Sequence, residues 1–132
     1  MLHRKMTIIG GLFALLLFTA ICTAGEPEFK VAVAADSKEK SGQISMVAGR
    51  APYFLIFDKA GKLLETVDNP HTDAKGGVGR STANFLAKKK VTVVIAGRFG
   101  SKMVSALKAT NIKYIERQGV AVDEIKGVEH AK

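Results

Sequence analysis

The sequence predicts an α/β fold: a five-stranded mixed sheet in the order 3-2-1-4-5, with strand 2 antiparallel and helices on both faces. Three observations carry this. "PYFLIFD" (52–58) and "KLLETVD" (62–68) are short apolar runs joined by the Gly-containing link "DKAGK", a hairpin signal. "VTVVIAG" (91–97) is a continuous β-branched run of the kind found in parallel strands covered by helices. After Pro70 the pattern alternates helix, strand, helix, strand, which implies right-handed parallel crossovers.

The elements follow in order. "FKVAVAAD" (29–36) reads as a first strand buried on both faces, and the polar, glycine-punctuated "SKEKSGQISMVAG" (37–49) as a long loop. Pro52 opens the second strand, where its missing N–H costs no ladder bond. "NPHTDAKGG" (69–77) is a loop. "VGRSTANFLAKKK" (78–90) places Val78, Phe85 and Leu86 on one stripe and ends in lysines, as helix C-termini prefer. "SKMVSALKAT" (101–110) is an amphipathic helix with Met103, Val104 and Leu107 inward. "NIKYIE" (111–116) is a last strand and "VAVDEIKG" (120–127) a short closing helix stopped by Gly127. With the hairpin on one side of strand 1 and the crossovers on the other, the loops after strands 1, 3 and 4 open at one edge. Strands 1 and 4 then flank the switch point at which α/β sheets bind ligands.

Residues 1–24 stand apart. "MLHRKMTIIGGLFALLLFTAICTAG" carries Arg4 and Lys5, an apolar run from Met6 to Ile21, and small residues before Gly25, the pattern of a secretory signal peptide. The apolar run is shorter than the roughly 20 residues of a spanning helix, which disfavours an uncleaved anchor. Ile21 before Cys22 disfavours a lipoprotein. The expectation is a periplasmic or secreted single domain, 25–132 with a core at 29–127, that meets the membrane only through its leader. Cleavage removes the one cysteine and two of the 20 basic residues, leaving 18 against 12 acids and lowering the net charge from +8 to +6. A mature chain without cysteine has no disulfide, thiolate nucleophile or cysteine-held metal. The positive charge favours anionic partners, while few aromatics and no basic helix repeat argue against a nucleic-acid binder.

Three of the five arginines directly follow glycine: Gly49-Arg50, Gly79-Arg80 and Gly97-Arg98. Each falls in a loop of the shared edge. Glycine lets backbone N–H groups approach a ligand, helix starts offer unpaired donors and a positive dipole end, and arginine supplies a planar fork for anionic oxygens. Together they describe an anion-binding crevice; the other reading is that glycines end elements and arginines decorate loops. "AKGGVGRST" (74–82) is not a nucleotide loop, because the first motif glycine falls on Ala74 and Arg80 replaces the phosphate lysine. His71 and Asp73 lie in the loop after strand 3 without metal-ligand spacing. Met46 offers a soft thioether, a ligand type suited to copper or iron–sulfur species. Ser81, Ser101 and Ser105 lack a histidine base, so no hydrolase triad is present.

"GRAPYFLIFD", "DNP", "GGVG" and "VVIAGRFG" together resemble the dinitrogenase iron–molybdenum cofactor-binding family, the NifX/NafY-like nitrogenase accessory proteins, from about Phe29 to Gly127. The resemblance implies a ribonuclease-H-like motif and a non-enzymatic role in binding or carrying an iron–sulfur or iron–molybdenum-type cluster. Relatives carry Ser-x-His-Phe-Gly-Arg-Ala before the second strand; here Val47 stands at the histidine position. The export leader would separate the chain from cytoplasmic nitrogenase assembly. The expected cofactor site comprises Arg50, Arg80 and Arg98 as charges, with Gly49, Gly76, Gly77, Gly79, Gly97 and Gly100 as close-approach backbone, and His71 as the remaining candidate metal ligand. The alternative is a ligand-free module whose basic face docks a partner protein or a membrane surface.

Overall fold

The computed structural model describes residues 28–126 and 128. The segment 1–24, expected as a signal peptide, and the helix stop expected at Gly127 lie outside the described residues. Strands β1 (Lys30–Ala35), β2 (Tyr53–Asp58), β3 (Leu63–Asp68), β4 (Val93–Ala96) and β5 (Lys113–Glu116) form one sheet in the order β3-β2-β1-β4-β5. β2 runs antiparallel to β1 and β3, and the β1–β4 and β4–β5 pairs are parallel.

Side chains of the central strands sort by the two-residue period of a pleated sheet. Ala32, Ala34, Phe54, Ile56, Val94 and Ala96 face one side; Val31, Val33, Leu55, Phe57, Val93 and Ile95 face the other. The alanine-rich side receives α1 (Val78–Lys88) and α2 (Ser101–Ala109), whose Ala83, Leu86, Met103 and Leu107 complete that core. Small residues beneath the helices let them sit close to the sheet. The bulkier side is closed by Ile44, the single-turn helix α3 (Ala121–Glu124), Ile125 and Val128. Phe54, Leu55 and Phe57 are fully buried, each worth about 1.5–3 kcal/mol of transfer free energy.

Helices cover both faces, but unequally, and the reason is topological. The β3-α1-β4 and β4-α2-β5 crossovers advance in the same direction across the sheet. Right-handedness therefore places both helices on one face, leaving the other to α3 and the segment that follows β1.

That segment, expected as a free loop, is tied to the sheet. Asp36 donates to Gln43, Ser45 to Ala34, Ile44 to Gly119, Gly97 to Ser45 and Ala48 to Arg98, all by backbone N–H at 2.8–3.1 Å. Val47 and Arg98 form a parallel bridge, and Ala48–Arg50 closes into a 3-10 turn before β2. Residues 43–48 thus fill the gap between the C-terminal ends of β1 and β4.

Candidate functional site

Because the protein's own chain occupies the β1/β4 gap, the concave surface at this edge lies to one side, toward α1 and α2. A pocket of about 310 Å³ is lined by Val47, Gly49 and Arg50 of the segment before β2, Val78 and Gly79 of α1, and Gly100, Ser101, Lys102 and Met103 of α2. It brings together four of the expected residues: Gly49, Arg50, Gly79 and Gly100. No carboxylate lines it.

The turn bearing Gly49 and Arg50 is held from beneath. Buried Asn69 donates through Nδ2 to the carbonyls of Gly49 (3.1 Å) and Ala51 (3.0 Å), and its Oδ1 accepts from the N–H of His71 (3.0 Å). Thr82 of α1, fully buried, donates through Oγ1 to the same Gly49 carbonyl at 3.0 Å. Each bond satisfies a group that would be costly to bury alone. Above the turn, the Arg50 guanidinium donates through Nη1 to the carbonyls of Thr72 (3.0 Å) and Ala74 (3.4 Å). Arg50 therefore fastens the loop between β3 and α1, the loop that carries His71.

Two of the glycines have steric reasons to be there. A Cβ on Gly79 would stand 2.9 Å from Met103 Cβ and 3.0 Å from its backbone nitrogen, so Gly79 is where α1 and α2 touch. A Cβ on Gly97 would stand 2.8 Å from Met46 Cα, so Gly97 is where the tied segment crosses β4. Gly76, Gly77 and Gly100 face open space. Gly77, at φ 67°, and Gly100 are the N-cap residues of α1 and α2, and neither helix has a side-chain cap.

Arg80 and Arg98 are exposed on the same edge without lining the pocket. His71 sits edge-on to Phe85, with ring centroids 6.3 Å apart, and does not line the pocket either. Met46 is exposed beside Val47, which is 44% exposed. Among the described residues, no group of three or more His, Cys, Asp and Glu side chains is placed to hold a metal ion.

Lys102 belongs to none of the sequence motifs, although a signal for it exists. Acids stabilise the first turn of a helix and cations oppose its dipole. Neither α1 nor α2 has an acid in its first turn; Arg80 and Lys102 stand there instead. Neither side chain has an ion-pair partner among the described residues. Two helix starts, two basic first-turn residues and Arg50 therefore bring positive charge to the pocket and its rim, while the acid Glu116 stays outside the pocket lining, its carboxylate accepting the Phe99 N–H at 3.4 Å.

A family model described as dinitrogenase iron-molybdenum cofactor matches residues 29–127. The chain belongs to this family. Its fold is similar to that of the orange protein from Desulfovibrio gigas in its apo form, at 28% identity and a TM-score of 0.70, covering 80% of this chain and 92% of that one. It is also similar to a putative NifB protein from Thermotoga, at 29% identity and a TM-score of 0.66, covering 78% and 89%. The protein PH0822, at 21% identity, shares the fold at a TM-score of 0.65, with 79% and 93% covered. No curated protein matches the sequence.

Proposed function

We propose that this protein is a non-catalytic carrier of an anionic metal cluster of the iron–sulfur or iron–molybdenum type, acting outside the cytoplasm after its signal peptide has been removed. The observation that carries the reading is the pair of uncapped helix starts with Arg80 and Lys102 in their first turns. Family membership supplies the class of cargo.

The donor set suits a preformed cluster held as an anion. Backbone N–H groups of the first turns, the Arg50 fork and Lys102 offer hydrogen bonds and charge, while Val47, Val78 and Met103 give the pocket an apolar wall. A cluster that brings its own sulfide ligands has soft, weakly hydrated faces that this wall can accept. Val47 cannot coordinate a metal, so the soft donors near the pocket are the thioethers of Met103 in its wall and of exposed Met46 beside it.

The test uses calorimetric titration with molybdate and, anaerobically, with an iron–sulfur cofactor, comparing the parent with Arg50→Ala, Arg98→Ala and Lys102→Ala. A hydrogen bond to a charged group is worth about 1.5–3 kcal/mol, so Arg50→Ala and Lys102→Ala should each weaken binding by roughly 10–100-fold. Lys102 anchors no structure, so its loss separates charge from folding. Equal affinity in every protein would sink the proposal. Cell fractionation with sequencing of the N-terminus tests export, and a cytoplasmic chain retaining Met1 would refute that part.

A further inference from the structure

The edge opposite the candidate site has a different cationic chemistry. All four arginines among the described residues, Arg50, Arg80, Arg98 and Arg117, belong to the edge at the C-terminal ends of the parallel strands or to the loop after β5. The other edge carries lysines only. Lys30 opens β1, and Lys59 and Lys62 lie in the β2–β3 hairpin, brought to the same end by the Lys30–Asp58 register. Lys88 ends α1 with Lys89 and Lys90 just beyond it, Lys108 lies in the last turn of α2 and Lys113 opens β5.

Acids at this edge are Glu28, Asp58 and Glu65. Glu65 is taken by Lys89 at 2.7 Å, and the Asp58 carboxylate accepts the N–H of Lys62 at 2.9 Å. Lysines here also balance the negative ends of α1 and α2, but two helix ends amount to about one elementary charge. A surplus of roughly four positive charges remains beyond acids and dipoles.

We infer that this lysine edge is a docking surface for an anionic phospholipid bilayer, which would orient the Gly-Arg edge away from the membrane. Two features favour lipid headgroups as the occupant. Lysine is a compact, hydrated point charge suited to a diffuse anionic surface, whereas arginine's fork suits specific oxyanion geometry. The chain also enters the fold here: the apolar run Met6 to Ile21 lies just upstream of Lys30, the first residue of β1. The lysines would keep their attraction to the headgroups whether or not that run is still attached.

The experiment is sedimentation with vesicles of phosphatidylcholine, with and without phosphatidylglycerol, at low and high salt. It uses the protein in the form that accumulates in cells. Preference for the anionic vesicles is expected, and it should fade as salt screens the lysines. At about fivefold per lysine, Lys88→Gln, Lys90→Gln and Lys113→Gln combined should reduce that preference on the order of 100-fold. Arg80→Gln with Arg98→Gln should leave it unchanged. Circular dichroism confirms that each variant is folded. Equal binding to neutral and anionic vesicles overturns the inference, as does a larger loss from the arginine variants than from the lysine ones. Retention on an immobilised acidic protein without vesicle binding would assign the edge to a protein partner and equally overturn it.

Discussion

Reversing the first-turn charges should make the empty protein more stable. Arg80 and Lys102 stand at the positive ends of α1 and α2 without ion-pair partners among the described residues. A charge within a helix's first turn interacts with the dipole by about 0.3–1 kcal/mol. Exchanging an opposed cation for a favoured anion removes one such penalty and adds one such gain, so Arg80→Glu and Lys102→Glu should each contribute about 0.6–2 kcal/mol. The side chains sit on different helices, so the double variant should gain about 1–4 kcal/mol. At about 4–8 °C per kcal/mol for a domain near 100 residues, its melting temperature should rise by roughly 5–30 °C. Urea denaturation at low ionic strength measures the gain, and repeating it at high salt should shrink it. The same variant should lose affinity for molybdate. If the double variant is no more stable than the parent at low salt, the two cations are not placed against the helix ends and the electrostatic basis of the site is wrong.

Further outcomes follow from the packing. Asn69→Ala removes three hydrogen bonds, two of them buried, and should cost about 2–4 kcal/mol. Asn69→Asp, which sets a carboxylate against the Gly49 and Ala51 carbonyls, should cost more, and the order of the two urea midpoints checks this. Gly79→Ala and Gly97→Ala force a methyl to within 3.0 Å of neighbouring backbone or Cβ atoms and should each cost about 1–3 kcal/mol. Gly76→Ala, with nothing within 4 Å, should change stability by no more than about 0.5 kcal/mol. Val47→His places an imidazole on an exposed pocket position. It should leave the urea midpoint within about 0.5 kcal/mol of the parent while raising retention of an iron–sulfur cofactor through anaerobic gel filtration.

Element types and sheet order were legible because they follow from local patterns and a handedness rule. "PYFLIFD" alternates into two cores, and "VTVVIAG" is covered on both sides. Element ends were less legible. Lys90, read as helical, lies beyond the end of α1 at φ 61°, because the chain must turn there into β4. Residues 43–48 look like loop in the sequence because they continue the polar, glycine-punctuated run 37–43, whereas their bonds reach Gly97, Arg98 and Gly119, partners distant in sequence. The same distance hid the reasons for Gly79 and Gly97. A glycine selected by a helix contact looks, in sequence, the same as one selected by a ligand. The Gly-Arg pairs all fall at the edge that carries the pocket, which gathers Gly49, Arg50, Gly79 and Gly100 and leaves Arg80 and Arg98 beside it.

Arg50 spends only Nη1 on the carbonyls of Thr72 and Ala74. Its remaining guanidinium nitrogens have no partner among the described residues. Fastening the loop and meeting an anion are therefore not competing duties, and the first sets the geometry of the second. The length of residues 69–77 acts as a ruler for the position of the fork: deleting one residue from that loop would move the charge proposed to meet the cargo.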